Sequence, residues 1–203
     1  MRHRYSDLIR IFDDLFALTE RTVLVAGVDE PLYKPAEGDD RPAQIIFAHG
    51  YFASALHEIA HWCIAGHHRR SLLDYGYWYE PDGRSPEKQM EFARVEVKPQ
   101  ALEWVFSVAS GLEFNFSADN LAVGGSVVDD SWRHFQCDVT ATARRYAEIG
   151  LPARAEILAS ELARFYGTGN KWRDPDSYQL DEHWREPYEI DHRVDAVVCR
   201  VSS

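Results

Sequence analysis

The run Ser54-Ala-Leu-His57-Glu58-Ile-Ala-His61-Trp-Cys-Ile-Ala-Gly66 constrains this chain more than any other stretch. Ala53, Leu56, Ala60, Cys63 and Ile64 recur at helical spacing, so a helix over 54–65 must bury one face, with Gly66 placed to end it. Side chains four positions apart project from nearly the same face, one turn apart. His57 and His61 can therefore reach one metal ion at ordinary metal–nitrogen distances. Glu58 is rotated by about a quarter-turn and faces a metal-bound water more readily than the metal itself. Two surface histidines flanking a glutamate would give the same letters; the setting on the best helical segment favours a metal site.

The rest of the chain reads as a helix-rich α+β domain. Residues 6–18 form an amphipathic helix capped by Ser6 or Asp7, with Leu8, Ile11, Phe12 and Leu15 on one face. Short β-type runs lie at Thr22 to Val25 and Ile45 to Ala48, separated by a Pro-, Gly- and Asp-rich loop over 29–42. Another helical turn is expected at 69–73, followed by the aromatic, β-prone Asp74-Tyr-Gly-Tyr-Trp-Tyr-Glu80. Ser85-Pro86 begins a long helix running to about Gly111. Pro99 inside it removes the partner of the Val95 carbonyl, which predicts a kink or a break. Residues 131–148 and 152–166 read as helices. The domain is expected to occupy 1–167, with 168–203 a polar C-terminal extension.

A formal net charge of −11 argues against a surface that tracks phosphates, so no nucleic-acid partner is expected. The same charge can attract a cationic substrate such as a lysine side chain. The three cysteines form no CxxC pair, which indicates neither a thiolate zinc site nor a disulfide framework. Neither an apolar signal core nor a bilayer-length apolar run is seen, so a cytoplasmic protein without membrane attachment is expected.

Two residues compete to be the third metal ligand. His67 lies six positions past His61, as in metalloproteases with three histidines. That pattern needs a glycine at the position of Ile64 and a later methionine turn, whereas the methionines here are Met1 and Met90. Glu96, in Val95-Glu96-Val97-Lys98-Pro99-Gln100, is the better candidate, because a carboxylate on a neighbouring helix completes a site of two histidines and one acid.

Several runs resemble the bacterial elongation factor P hydroxylase family: Phe47 to Gly66, Asp74 to Arg84, and Val95-Glu-Val-Lys-Pro-Gln-Ala-Leu-Glu-Trp104. Asp29-Glu-Pro-Leu-Tyr33 and Phe114 to Leu121 are similar as well, so the likeness spans roughly residues 5 to 165. It implies a monooxygenase that hydroxylates the β-lysylated lysine of elongation factor P. It also implies a zincin-like site holding non-haem iron, Fe(II) in the working enzyme, on His57, His61 and Glu96, with molecular oxygen as co-substrate. Nothing in the sequence supports a role for 2-oxoglutarate. Glu58 would orient water or move protons. Tyr75, Tyr77, Trp78 and Tyr79 are candidates for walling a channel for a cationic side chain, and Asp74, Glu80 and Asp82 for meeting its ammonium groups. His49 and Gln100 are candidates for supporting the ligands from behind. The rival is a zincin-type metallopeptidase with Glu58 as general base, because the His-Glu-x-x-His spacing serves both chemistries. A closed structural zinc site is weaker, since Cys63 projects away from the ligand face.

Overall fold

A long helix through the middle of the molecule organises everything else, and its residue pattern explains why. In the computed structural model, which describes residues 2–76, 86–117 and 130–180, α3 spans Pro86–Ser110. Every residue from Pro99 to Ser107 is buried, so this half of the helix is enclosed on all sides. It packs against α2 (Phe52–Ile64), α4 (Asp130–Ile149) and α5 (Ala153–Tyr166). The helix runs unbroken through Pro99, so of the kink or break expected there the break does not occur. An interior proline costs about 3 kcal/mol, whereas each fully buried large apolar side chain contributes about 1.5–3 kcal/mol. Leu102, Val105 and Phe106, all at 0% exposure, outweigh the lost hydrogen bond.

The remaining elements form a small layer beside these helices. Helix α1 (Tyr5–Phe16) buries Leu8, Ile11, Phe12 and Phe16, but its N-cap is Arg4, without the side-chain cap expected from Ser6 or Asp7. It packs on β1 (Thr22–Ala26), while α2 packs on β3 (Ala43–Phe47). The sheet order is β1-β3-β2, with β1 parallel to β3 in the register Thr22↔Ala43 to Ala26↔Phe47. Strand β2 (Leu32–Lys34) pairs antiparallel to β3 and falls in the stretch read as a loop. Three residues between prolines carry no usable alternation, yet Tyr33 is 2% exposed and anchors the strand. Alternate residues of β3 (Ala43, Ile45, Phe47) are buried, as a one-sided sheet requires.

Helix α2 ends at Ile64, and its terminus is not made by glycine. The Arg154 guanidinium, from α5, donates through Nη2 to the carbonyls of Trp62 (2.9 Å), Cys63 (3.2 Å) and Ala65 (2.8 Å). These are carbonyls that the helix itself leaves without partners. Gly167 closes α5 in the left-handed conformation, and the chain continues into two short 3₁₀ turns, Lys171–Arg173 and Pro175–Ser177. Trp172 and Tyr178 return to the same core, where the Tyr178 ring lies 5.6 Å from that of Trp104. One core thus joins helices and sheet in a helix-rich α+β domain. Among the described residues no helix is long and apolar enough to cross a membrane.

Candidate metal centre

The crossing of α2 and α3 brings together three side chains that could ligate a metal ion. His57 and His61 stand one turn apart on α2, with Nε2 atoms 3.1 Å from each other. Glu96, on α3, reaches both: Oε2 is 3.4 Å from His57 Nε2 and Oε1 is 3.4 Å from His61 Nε2. Ligand atoms of the three residues all lie within 4.8 Å of one another. Donors about 2.1 Å from a common ion and roughly 100° apart would stand about 3.2 Å from each other. The observed separations fit that arrangement, so the three residues can hold a metal ion.

The surroundings favour a cation as well. Glu103, two turns beyond Glu96 on α3, accepts a hydrogen bond from His57 Nδ1 at 2.9 Å. A carboxylate can only accept, so the proton of this bond sits on Nδ1 and neutral His57 keeps its Nε2 lone pair for a ligand. This is the carboxylate–histidine–metal arrangement that fixes ring orientation and raises ligand basicity. Burial alone would lower the His57 pKa, yet hydrogen bonds and charge from Glu103 and Glu96 raise it well above the ordinary histidine value. Burial works against ionised Glu96 too, but the charges and hydrogen bonds of His61 and His57 hold its carboxyl well below the usual range. Metal uptake must displace the proton that His57 carries in the metal-free protein.

Glu58, on the same helix as the two histidines, lies near enough to feel the charges of His57, His61 and Glu96. It has no hydrogen-bond partner among the described residues, and burial raises its pKa against the opposing pull of His57 and His61. A carboxyl with a raised pKa beside a metal site can both accept and return a proton.

With this geometry in place, the comparisons with known proteins are specific. The family model described as elongation factor P hydroxylase matches residues 11–175. A protein of Haemophilus influenzae (strain ATCC 51907 / DSM 11121 / KW20 / Rd) named "Elongation factor P lysine hydroxylase" is 50% identical over 168 residues, covering 83% of this chain and 92% of that protein. The chain belongs to the elongation factor P hydroxylase family.

Within this hydroxylase-family chain the other sequence-predicted residues fall in different places. His49 lies apart from the ligand cluster, in the left-handed turn before α2, lining a cavity of about 540 Å³ with Asp29, Glu30, Pro31 and Leu32. Both ends of the Gln100 amide engage the backbone of Ser117, donating to its oxygen at 2.6 Å and accepting from its nitrogen at 3.2 Å. Gln100 therefore ties the segment after α3 to the helix. His67 is exposed and stands outside the cluster. Tyr77, Trp78, Tyr79, Glu80 and Asp82 lie outside the described residues. Cys63 is a buried free thiol whose pKa burial pushes well up, so it is neither reactive nor a ligand.

Two further residues stand near the centre, of which Glu103 was not anticipated. Glu103 carried a readable signal: it is a lone acid in the apolar run Ala101-Leu102-Glu103-Trp104-Val105-Phe106, seven positions from Glu96 and so on the same helix face. Tyr75 belongs to the aromatic segment read from the sequence as a wall for a cationic side chain. It is buried to 3% exposure, stacked on Tyr33 at 4.2 Å and near-parallel to the His61 ring at 6.5 Å.

Proposed function

We propose that this protein is a metal-dependent hydroxylase of a lysine side chain of elongation factor P, acting on the lysine that already carries a β-lysyl group. The convergence of His57, His61 and Glu96, in a chain of this family, carries the reading. Two imidazoles and one carboxylate on one side of an ion leave positions open on the other, the ligand set of non-haem iron(II) oxygenases. We read the arrangement as zincin-like, because a His-Glu-x-x-His helix is completed by an acid from its neighbour. When bound, a redox-active divalent metal, iron(II) in this reading, supplies the oxygen activation that breaking an unactivated C–H bond requires.

The protein's own residues do the rest. Glu103 fixes the His57 tautomer and ring orientation, and Glu96 neutralises charge between the two imidazoles. Glu58, partly buried and without a competing hydrogen bond, holds or moves a proton at its carboxylate oxygen beside the reacting atoms. The formal charge of −11 favours approach of a cationic side chain. A translation factor as substrate places the reaction in the cytoplasm.

The deciding experiment is the intact mass of β-lysylated elongation factor P after incubation with iron-loaded protein, air and reductant. A gain of one oxygen atom is expected, absent with His57→Ala and Glu96→Ala. An unchanged mass with verified metal occupancy would overturn the hydroxylase reading. The His-Glu-x-x-His spacing would then point to peptide hydrolysis with Glu58 as base, tested by loss of cleavage in Glu58→Gln.

A further inference from the structure

The first turns of α1 and α2 border one cavity of about 400 Å³. Arg2, His3, Arg4, Tyr5 and Ser6 line it from the α1 side, Gly50 and Phe52 from the α2 side. This close approach needs a glycine: Gly50 has a φ of 66°, and a Cβ there would stand 3.2 Å from the Tyr5 ring. His3 is held in place, with Nε2 2.9 Å from the Ser110 carbonyl oxygen and its ring 5.1 Å from Phe52 and 5.0 Å from Tyr166.

Positive charge in this cavity is unanswered. The Arg2 and Arg4 side chains make no ion pair or hydrogen bond among the described residues, whereas Arg21, Arg41, Arg70 and Arg154 each pair with an acid. No carboxylate lines the space, and Asp7, the acid in the first turn of α1, is not part of its wall. In a chain of formal net charge −11, such a pocket of unpaired cations stands against the general balance. Both helices also begin without a side-chain cap, at Arg4 and Tyr51. The Ser54 hydroxyl, in the first turn of α2, accepts instead from the Ala48 nitrogen at 3.2 Å. Two uncapped helix starts thus add N–H donors and partial positive charge beside the same guanidinium groups.

From the cavity and its unpaired cations we infer a binding site for a phosphate group, free or as the monoester of a small molecule. Phosphate has enough oxygens to meet several converging donors, and guanidinium forks match its geometry. The cavity is larger than a bare phosphate, and Tyr5 and Phe52 give the rest of an ester an aromatic wall. The site shares no residue with the His57, His61 and Glu96 cluster and does not depend on the metal-centre reading.

The test titrates full-length ¹⁵N-labelled protein with inorganic phosphate and, separately, with phenyl phosphate, at ionic strength held constant with sodium chloride. Saturable shifts are expected at the backbone amides of Tyr5, Ser6, Gly50 and Phe52. Arg2→Gln and Arg4→Gln should each weaken binding about tenfold or more, the usual worth of a hydrogen bond between charged groups, with the phosphate-free melting temperature unchanged. Tighter binding of phenyl phosphate would assign the site to a monoester, and weaker binding to free phosphate. Shifts that do not saturate, that chloride reproduces, or that both variants retain would mean an adventitious ion only and overturn the proposal. Shifts centred on His57 and His61 would overturn it too. Should Arg4→Gln fail to fold, Arg2→Gln, outside the helix, decides alone.

Discussion

Helix α2 meets buried charge in two places, and the two are opposite in kind. At its C-terminal end, Arg154 donates to three helix carbonyls, lies 4.6 Å over the Trp62 ring, and shares Glu20 with Arg70. Cations there meet the negative end of the helix dipole and the carbonyls that create it. On the ligand face, Glu58, Glu96 and Glu103 lie close to two imidazoles. Acceptors are in excess, and no lysine or arginine among the described residues makes an ion pair with Glu58, Glu96 or Glu103. Charge answered by the protein's own donors is a structural clamp. Charge left with surplus acceptors in a half-closed space is a site for a cation.

That contrast breaks most sharply at the ligands. His61→Ala and Glu96→Ala should each lower metal affinity by more than the roughly 10–100-fold that loss of a supporting partner costs, as read by calorimetry or bound-metal analysis. Both should still fold without metal, each losing the stabilisation that the pairing of Glu96 with the imidazoles provides. Saturating wild-type protein at about 100 times the dissociation constant should add about 2.7 kcal/mol of stability, and neither variant should show it. At the other end of α2, Arg154→Met should cost about 2–4 kcal/mol in urea denaturation, since it orphans carbonyls and frees Glu20. Metal affinity of the folded protein should stay as it was. An Arg154→Met variant that lost the metal at unchanged stability would merge the two regions into one.

The same contrast explains what could be read from the sequence. Periodicity exposed α2, and a spacing of four delivered His57 and His61 because both lie on a single helix. Glu96 required a second helix, and resemblance supplied what periodicity could not. The helix does not break at Pro99 because local propensity is a cost of a few kcal/mol, and Leu102, Val105 and Phe106 outweigh it. Strand β2 was hidden because three residues give no alternation, and Tyr33 is held by tertiary contacts. Tyr75 and Arg154 act through neighbours distant in sequence, Tyr33 and Trp62 among them. No local pattern marks such residues; only the closed core does.

A smaller effect sharpens the ligand side alone. Glu103→Ala should lower metal affinity about 10–100-fold, and Glu103→Gln should recover part of it, because the amide oxygen can still accept from His57 Nδ1. Equal losses in the two variants would mean that charge, not ring orientation, is what Glu103 contributes.

The smallest effect is a pH slope, and its sign follows from two opposed groups. His57 has a folded pKa well above its unfolded value of 6.5, so its contribution is fully present below that pH and fades as pH rises through the folded value. Glu96 has a folded pKa depressed below its unfolded value of 4.5, so its contribution is present above that pH and fades as pH falls through the folded value. The metal-free protein should therefore gain most from this pair between about pH 4.5 and 6.5, and its melting temperature should decline toward pH 9. Metal reverses the slope. Binding requires neutral His57, so apparent affinity should rise about tenfold per pH unit until the raised pKa is passed, with one proton released per ion. Melting curves from pH 5 to 9, with and without metal, should thus diverge as pH increases. Parallel curves would show that the proton on His57 and the metal do not compete for the same nitrogen, and the cation site would have to be sought away from Nε2.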